Sequence, residues 1–185
     1  MGNTESIQNS EFKEKILFDK KYNWVLSYPM HEYLIITPDN IGKLIPVDSN
    51  EKSSYLDLRV KAPPVLNIET VRIHPIATVC SMLNYQLSQT NLPIFPPSRL
   101  FIFYNCSYFP DVKSILSYEM IFNSIQKYGF CSEVDFSYQL ENINNPPLKI
   151  HYQVAEAFKF MDIYRISNNL EVLKKLLIHE KPIMI

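Results

Sequence analysis

Ile76, Val79, Cys80, Leu83 and Leu87 recur at three- and four-residue spacing, the mark of an amphipathic helix with one buried face. Pro75 stands where such a helix begins, because its first turn tolerates a missing N–H, and the helix should end near Thr90, before Pro93. Tyr118, Ile121, Phe122, Ile125 and Tyr128 line a second stripe, with Gly129 as its C-terminal cap. A proline-rich turn at 144–147 leads to a short helix through Ala155. Asn168 or Asn169 caps a last helix in which Leu170, Leu173 and Leu177 face inward. YLII (33–36), FKFMDIYRI (158–166) and the closing PIMI (182–185) read as strands. Periodicity leaves SRLFIFYNC (98–106) open between helix and strand.

The first 21 residues are polar and of mixed charge, and read as a flexible arm with a short helix around Phe12 to Phe18. From Tyr22 to Pro64 the chain is extended and punctuated by Pro29, Pro38 and Pro46. The opening MGNTES fits the N-myristoylation pattern, with Gly2 as acceptor and Ser6 at its last position. One acyl chain binds membranes only marginally. Lys13, Lys15, Lys20 and Lys21 are largely cancelled by Glu11, Glu14 and Asp19, so any membrane contact through this end is weak.

Composition narrows the function. With 185 residues, 46% hydrophobic and 20% charged, the chain has the size of one globular domain and enough apolar residues for a core. A net charge of −1 gives no basic excess for nucleic acid. Cys80, Cys106 and Cys131 are odd in number and lack CxxC spacing, which argues against a disulfide framework and a zinc knuckle alike and for buried thiols in a reducing compartment. No metal or other cofactor is expected. The N-terminus shows no secretory h-region, and no run of about eighteen apolar residues occurs, so an intracellular, non-secreted protein is expected. Scarce glycine beside abundant Asn, Ile, Lys and Tyr suggests an AT-rich genome, such as that of a large DNA virus or a protist.

Several stretches, taken in order, resemble the papain-like cysteine peptidases, particularly their compact bacterial and viral branch. SSYLDLRVKAPPVLN (53–67) is similar to the opening segment of those enzymes, and FPPSRLFIFYNCS (95–107) to their P-S-R-L-F-I-Y-Y-N stretch. IFNSIQKYGFCSE (121–133) resembles K-Y-G-x-C-x-E, and YRISNNLEVLKKLLIHEKPIMI (164–185) the last helix and first strand before the second lobe. The resemblance runs from about Tyr22 to Ile185 and implies that 98–106 is helical. It also implies an α+β fold: a papain-like fold, mainly its helical left-hand lobe, with a truncated start of the β-rich lobe. The chain then divides into an arm at 1–21 and a papain-like lobe at 22–185.

In that family N-Q-G-x-x-G-S-C begins where Asn67 stands. Carried over without gaps, the oxyanion glutamine becomes Ile68, the two glycines become Glu69 and Arg72, and the nucleophilic cysteine becomes His74. A helix N-terminus and a facing histidine lower the cysteine's pKa in such enzymes. Ile68 has no hydrogen to donate to an oxyanion, and losing one such donor costs about 3 kcal/mol. His74 offers an imidazole, read as vestigial or structural before metal ligand or catalyst. Cys80 is no substitute: six residues along a helix amount to about 9 Å of rise and roughly 120° of rotation away from His74. His31, His151 and His179 match none of the family's catalytic motifs, and the chain ends before the lobe that supplies base and orienting asparagine.

The resemblance therefore implies no catalytic residue, with His74 and Ile68 as vestigial slots, and a protein that is not an enzyme. The expected function is a structural, binding or scaffold protein, as in a virus particle. The alternative is a subunit of a heteromeric cysteine peptidase whose second lobe comes from another chain. The expected partners are protein chains, or a second copy of this one, meeting the exposed lobe face and the edge at 182–185.

Overall fold

The structure is a computed structural model and describes residues 33–45, 56–68, 73–106, 116–159 and 162–184. The N-terminal arm, Gly2, the expected helix at 12–18 and the two glycine slots at Glu69 and Arg72 lie outside the described residues.

Helices form where the apolar stripes place them. Helix α1, His74–Ser88, carries a proline in its first turn and buries Ile76, Val79, Cys80, Leu83, Tyr85 and Leu87. Past its end, the N–H groups of Gln89 and Thr90 close onto the carbonyls of Gln86 and Leu87. Helix α2, Arg99–Cys106, resolves the ambiguous run as helical. Its first turn is capped by the buried Ser98, whose Oγ accepts the Phe101 N–H at 3.1 Å and donates to the Phe136 carbonyl at 2.5 Å. Helix α3, Tyr118–Tyr128, starts on Ser117, which accepts the Met120 N–H at 3.2 Å.

Gly129 ends α3 with φ 72°, a conformation that L side chains rarely adopt. A Cβ there would lie 1.9 Å from the Ala155 carbonyl oxygen. Glycine is thus required both by the turn and by the close approach of helix α4, Lys149–Ala155, which continues into a 3-10 turn at Glu156–Phe158. Helix α5, Leu170–Ile178, is capped by Asn169, whose side chain accepts from the N–H groups of Glu171 and Val172.

Helices α1, α2 and α3 pack on one another around the main core, in which Ile73, Ile76, Val79, Cys80 and Leu83 meet Ile102, Cys106, Ile121, Ile125 and Phe130. A second core joins Ile36, Ile41 and Ile45 to Val172 and Leu176 of α5. It lies beside the described sheet, a two-stranded parallel pair. Strand β1, Ile35–Ile36, sets Ile35 opposite Arg165 and Ile36 opposite Ile166 of strand β2, Arg165–Ile166. Phe101, Cys131 and Ala155 form a third cluster that seats α4 against α2.

Three sequence expectations are corrected. Among the described residues of the run 158–166, Phe158 closes a 3-10 turn and the ladder is confined to Arg165–Ile166. Helix α5 turns a different stripe inward, with Val172 and Leu176 buried, Leu173 half-buried, and Leu170 and Leu177 exposed. Two apolar stripes at helical spacing run along this segment, and only the position of Ile36, Ile41 and Ile45 selects between them. Finally, residues 181–184 form no strand. Ile183 and Met184 are instead half-buried against the two larger cores, so packing rather than a ladder holds this segment.

Gly129→Ala is expected to lower the unfolding free energy by more than about 2 kcal/mol, since the methyl must displace backbone as well as strain the turn. Urea denaturation measures the loss, and a loss under about 0.5 kcal/mol, the range of a neutral surface change, contradicts the close approach.

Candidate functional site

The site is built around the path that leads into α1. The stretch from Leu58 begins as a 3-10 turn, Leu58–Lys61, capped by Asp57, which accepts the Arg59 N–H at 2.9 Å. Lys61 then meets Glu180, just past α5, at 2.6 Å. From Ala62 to Ile68 the backbone has no regular structure, as two successive prolines dictate. Val65 is 99% exposed, whereas Leu66 and Ile68 pack half-buried against the main core.

Two carbonyls hold this segment in place. Arg99 Nη1 donates to the Asn67 carbonyl, and the Tyr138 hydroxyl donates to the Ile68 carbonyl at 2.8 Å. Arg99 is itself fixed by Glu133, with Nη2 donating to Oε1 at 3.0 Å and Nε to Oε2 at 3.4 Å. The same carboxylate accepts the Arg99 N–H at 3.2 Å and the Tyr138 N–H at 2.6 Å. The guanidinium lies over the Tyr138 ring, 4.0 Å from its centroid. Because Arg99 opens α2, Glu133 also places negative charge at a helix N-terminus, where the dipole favours it.

Glu133 reaches that point through a local antiparallel bridge. The Ser98 N–H donates to the Cys131 carbonyl at 2.9 Å and the Glu133 N–H to the Pro96 carbonyl at 2.8 Å, around the Pro97–Ser132 pair. The stretches 95–106 and 121–133, distant in sequence, are thereby joined into one unit whose charged pair grips a third, 56–67. No local pattern in the sequence gives Arg99, Glu133 or Tyr138 a role. The available signal was an arginine opening an otherwise apolar helix, with a lone glutamate after a glycine turn, a pattern that suits a buried ion pair.

The residues singled out from the sequence fall as follows. His74 is the first residue of α1, with an exposed side chain, and its carbonyl accepts the Thr78 hydroxyl at 3.0 Å. Ile68 turns its hydrocarbon onto the core. Among the described residues no hydrogen bond, ion pair or ring contact brings His74 and Ile68 together. Nor does any group of three or more His, Cys, Asp or Glu among them suit a metal ion. His151 is occupied elsewhere, its Nδ1 accepting the Leu148 N–H at 3.0 Å and its ring 5.0 Å from that of Phe136.

Cys80, Cys106 and Cys131 are all free and buried. Cys80 is fully buried in the apolar face of α1, and desolvation raises its pKa first, with the Glu133 charge adding to the rise and the Arg99 charge opposing it. Desolvation likewise pushes Cys106 and Cys131 up to about 12. The Cys106 thiol donates to the Met120 carbonyl at 3.7 Å. These are thiols with little thiolate at neutral pH, the reverse of an activated nucleophile.

Neither a protein-family model nor a curated protein matches the chain significantly. Among solved structures it is similar to xylellain, a cysteine protease from Xylella fastidiosa, with a TM-score of 0.53 and 20% identity over 63% of this chain. The match covers 51% of that structure, so the chain spans about half of its neighbour's length. The fold is therefore papain-like, as the sequence resemblance implied, in a helix-rich α+β form with a small sheet. The expectation that the chain is not an enzyme is corrected at this point, because the structure it resembles is that of a cysteine protease. No described helix is long and apolar enough to cross a membrane.

The thiol environments carry a test. In the folded protein at pH 8, Cys80, Cys106 and Cys131 should react with Ellman's reagent at least about a hundred-fold more slowly than in urea, where three equivalents appear. Groups whose pKa is higher folded than unfolded stabilise the fold below the unfolded value, near 8.5 for cysteine. Their contribution is then lost as pH rises toward about 12, the folded value for Cys106 and Cys131. The raised phenols of Tyr85 and Tyr152 act in the same direction. The urea midpoint should accordingly fall from pH 8 to pH 10.5, and a flat or rising midpoint contradicts these environments.

Proposed function

We propose that this chain is the helical lobe of a papain-like cleft and grips an extended polypeptide, the opposing wall coming from a second lobe on another polypeptide. The observation that carries this reading is the held segment at 65–68, packed on the same core as the start of α1. Arg99 and Tyr138 draw the carbonyls of Asn67 and Ile68 inward, while Val65 stands free and His74 presents an exposed imidazole. A held, irregular segment with Val65 directed outward gives a bound polypeptide a fixed side chain to pack against. In this reading His74 contacts the bound polypeptide where the family's nucleophile would stand, and Ile68 contributes packing in place of an oxyanion donor.

The second reading adds hydrolysis: the chain is one subunit of a heteromeric cysteine peptidase. The papain-like fold shared with a cysteine protease favours it. In this reading the attacking sulfur comes from another chain, which the burial of all three thiols supports. In a third, compatible setting the lobe belongs to a virion component held near a membrane through acylated Gly2. Intact mass of protein made in eukaryotic cells tests this, and an unmodified Gly2 removes the anchor.

Reduced, carboxymethylated lactalbumin serves as a permanently unfolded probe for the first two readings. A photo-reactive p-benzoylphenylalanine at Val65 should cross-link to it, while the same group at Ile150 on α4 should not. Equal labelling from both positions, or none from Val65, overturns the cleft. With the complex purified from its native source, lactalbumin fragments that disappear after iodoacetamide treatment support the peptidase reading, and intact lactalbumin overturns it.

A further inference from the structure

We infer that Arg99, Glu133 and Tyr138 act together as a positioning device for the site: besides joining α2 to the 131–138 turn, they set the backbone at 65–68. This inference rests on the proposed site at the α1 head. It concerns residues that do not touch the bound polypeptide.

The geometry distinguishes positioning from mere packing. A buried ion pair that only held α2 to the 131–138 turn would use its donors and acceptors between those two elements. Here one guanidinium nitrogen is directed away from Glu133 to a backbone carbonyl 32 residues earlier, at Asn67. The adjoining carbonyl, that of Ile68, is taken by Tyr138, whose ring lies against the same guanidinium and whose N–H is bound by the same carboxylate. Two consecutive carbonyls of an irregular segment are therefore fixed by a pair of side chains that are themselves cross-linked. With both carbonyls of 67–68 directed inward, the orientation of the peptide planes next to them is set as well.

The main core supplies Ile68 with packing, but packing is non-directional, and it leaves the rotation of the 65–68 backbone open. The two hydrogen bonds fix that rotation. Arginine suits the role because its planar fork serves a carboxylate on one side and a carbonyl on the other at the same time. A lysine ammonium in its place has one nitrogen for both.

Arg99→Ala risks unfolding the protein by leaving Glu133 buried and uncompensated, so the informative variants are Tyr138→Phe and Arg99→Lys. Tyr138→Phe deletes the hydroxyl's bond to Ile68 and keeps the ring beneath the guanidinium. Hydrogen exchange in the intact chain should show the peptide covering 65–68 exchanging at least ten-fold faster in both variants, with α1 beyond Val79 and the whole of α3 unchanged. Binding of carboxymethylated lactalbumin should weaken at least five-fold while the thermal midpoint moves little. The inference is overturned if exchange at 65–68 matches wild type, or if exchange rises equally in α1, α2 and α3, the pattern of a purely structural pair. If wild type does not bind lactalbumin, the proposed cleft fails, while faster exchange confined to 65–68 still upholds the positioning role.

Discussion

The ion pair between Arg99 and Glu133 is where the several parts of this molecule meet. Both side chains are largely withdrawn from water, with 11% and 19% of their surface exposed. Two charges so placed are tolerable only if nearly every donor and acceptor is used, because the desolvation cost otherwise exceeds the Coulombic gain. The structure meets that condition: the carboxylate accepts from two backbone N–H groups as well as from the guanidinium, and the guanidinium reaches a backbone carbonyl and an aromatic face. Breaking one partner of such a pair typically costs about 3–5 kcal/mol. The start of α2, the 131–138 turn and the 62–68 segment consequently depend on one another.

The site inherits its character from this arrangement. The head of α1 carries an imidazole in solvent, while Ile68 turns its hydrocarbon onto the main core. The thiols that could do sulfur chemistry are directed into the cores, where the absence of water suppresses their ionisation. The chain's surface offers the exposed Val65 and the His74 ring, whereas its three thiols are buried.

Much of the fold was legible from local pattern. The stripe from Ile76 to Leu87, the stripe from Tyr118 to Tyr128 with its glycine stop, and the Asn169 cap are each determined by neighbours a few residues away, and each was found where the spacing placed it. Cys80 belonged to an apolar stripe in the sequence and is core in the structure for the same reason. The resemblance to papain-like enzymes resolved the run at 98–106, which no local rule separates into helix or strand.

Only the tertiary structure decided the rest. Helix α5 carries two apolar stripes, and the choice of Val172 and Leu176 over Leu170 and Leu177 was made by Ile36, Ile41 and Ile45, more than a hundred residues earlier. The segment at 181–184 has strand-like composition, but no ladder forms there and packing against two cores absorbs its side chains. Above all, Arg99, Glu133 and Tyr138 acquire their meaning from contacts spanning 32 to 70 residues. Periodicity reports what one element does with its own neighbours, and a network of hydrogen bonds among three distant segments has no period to read.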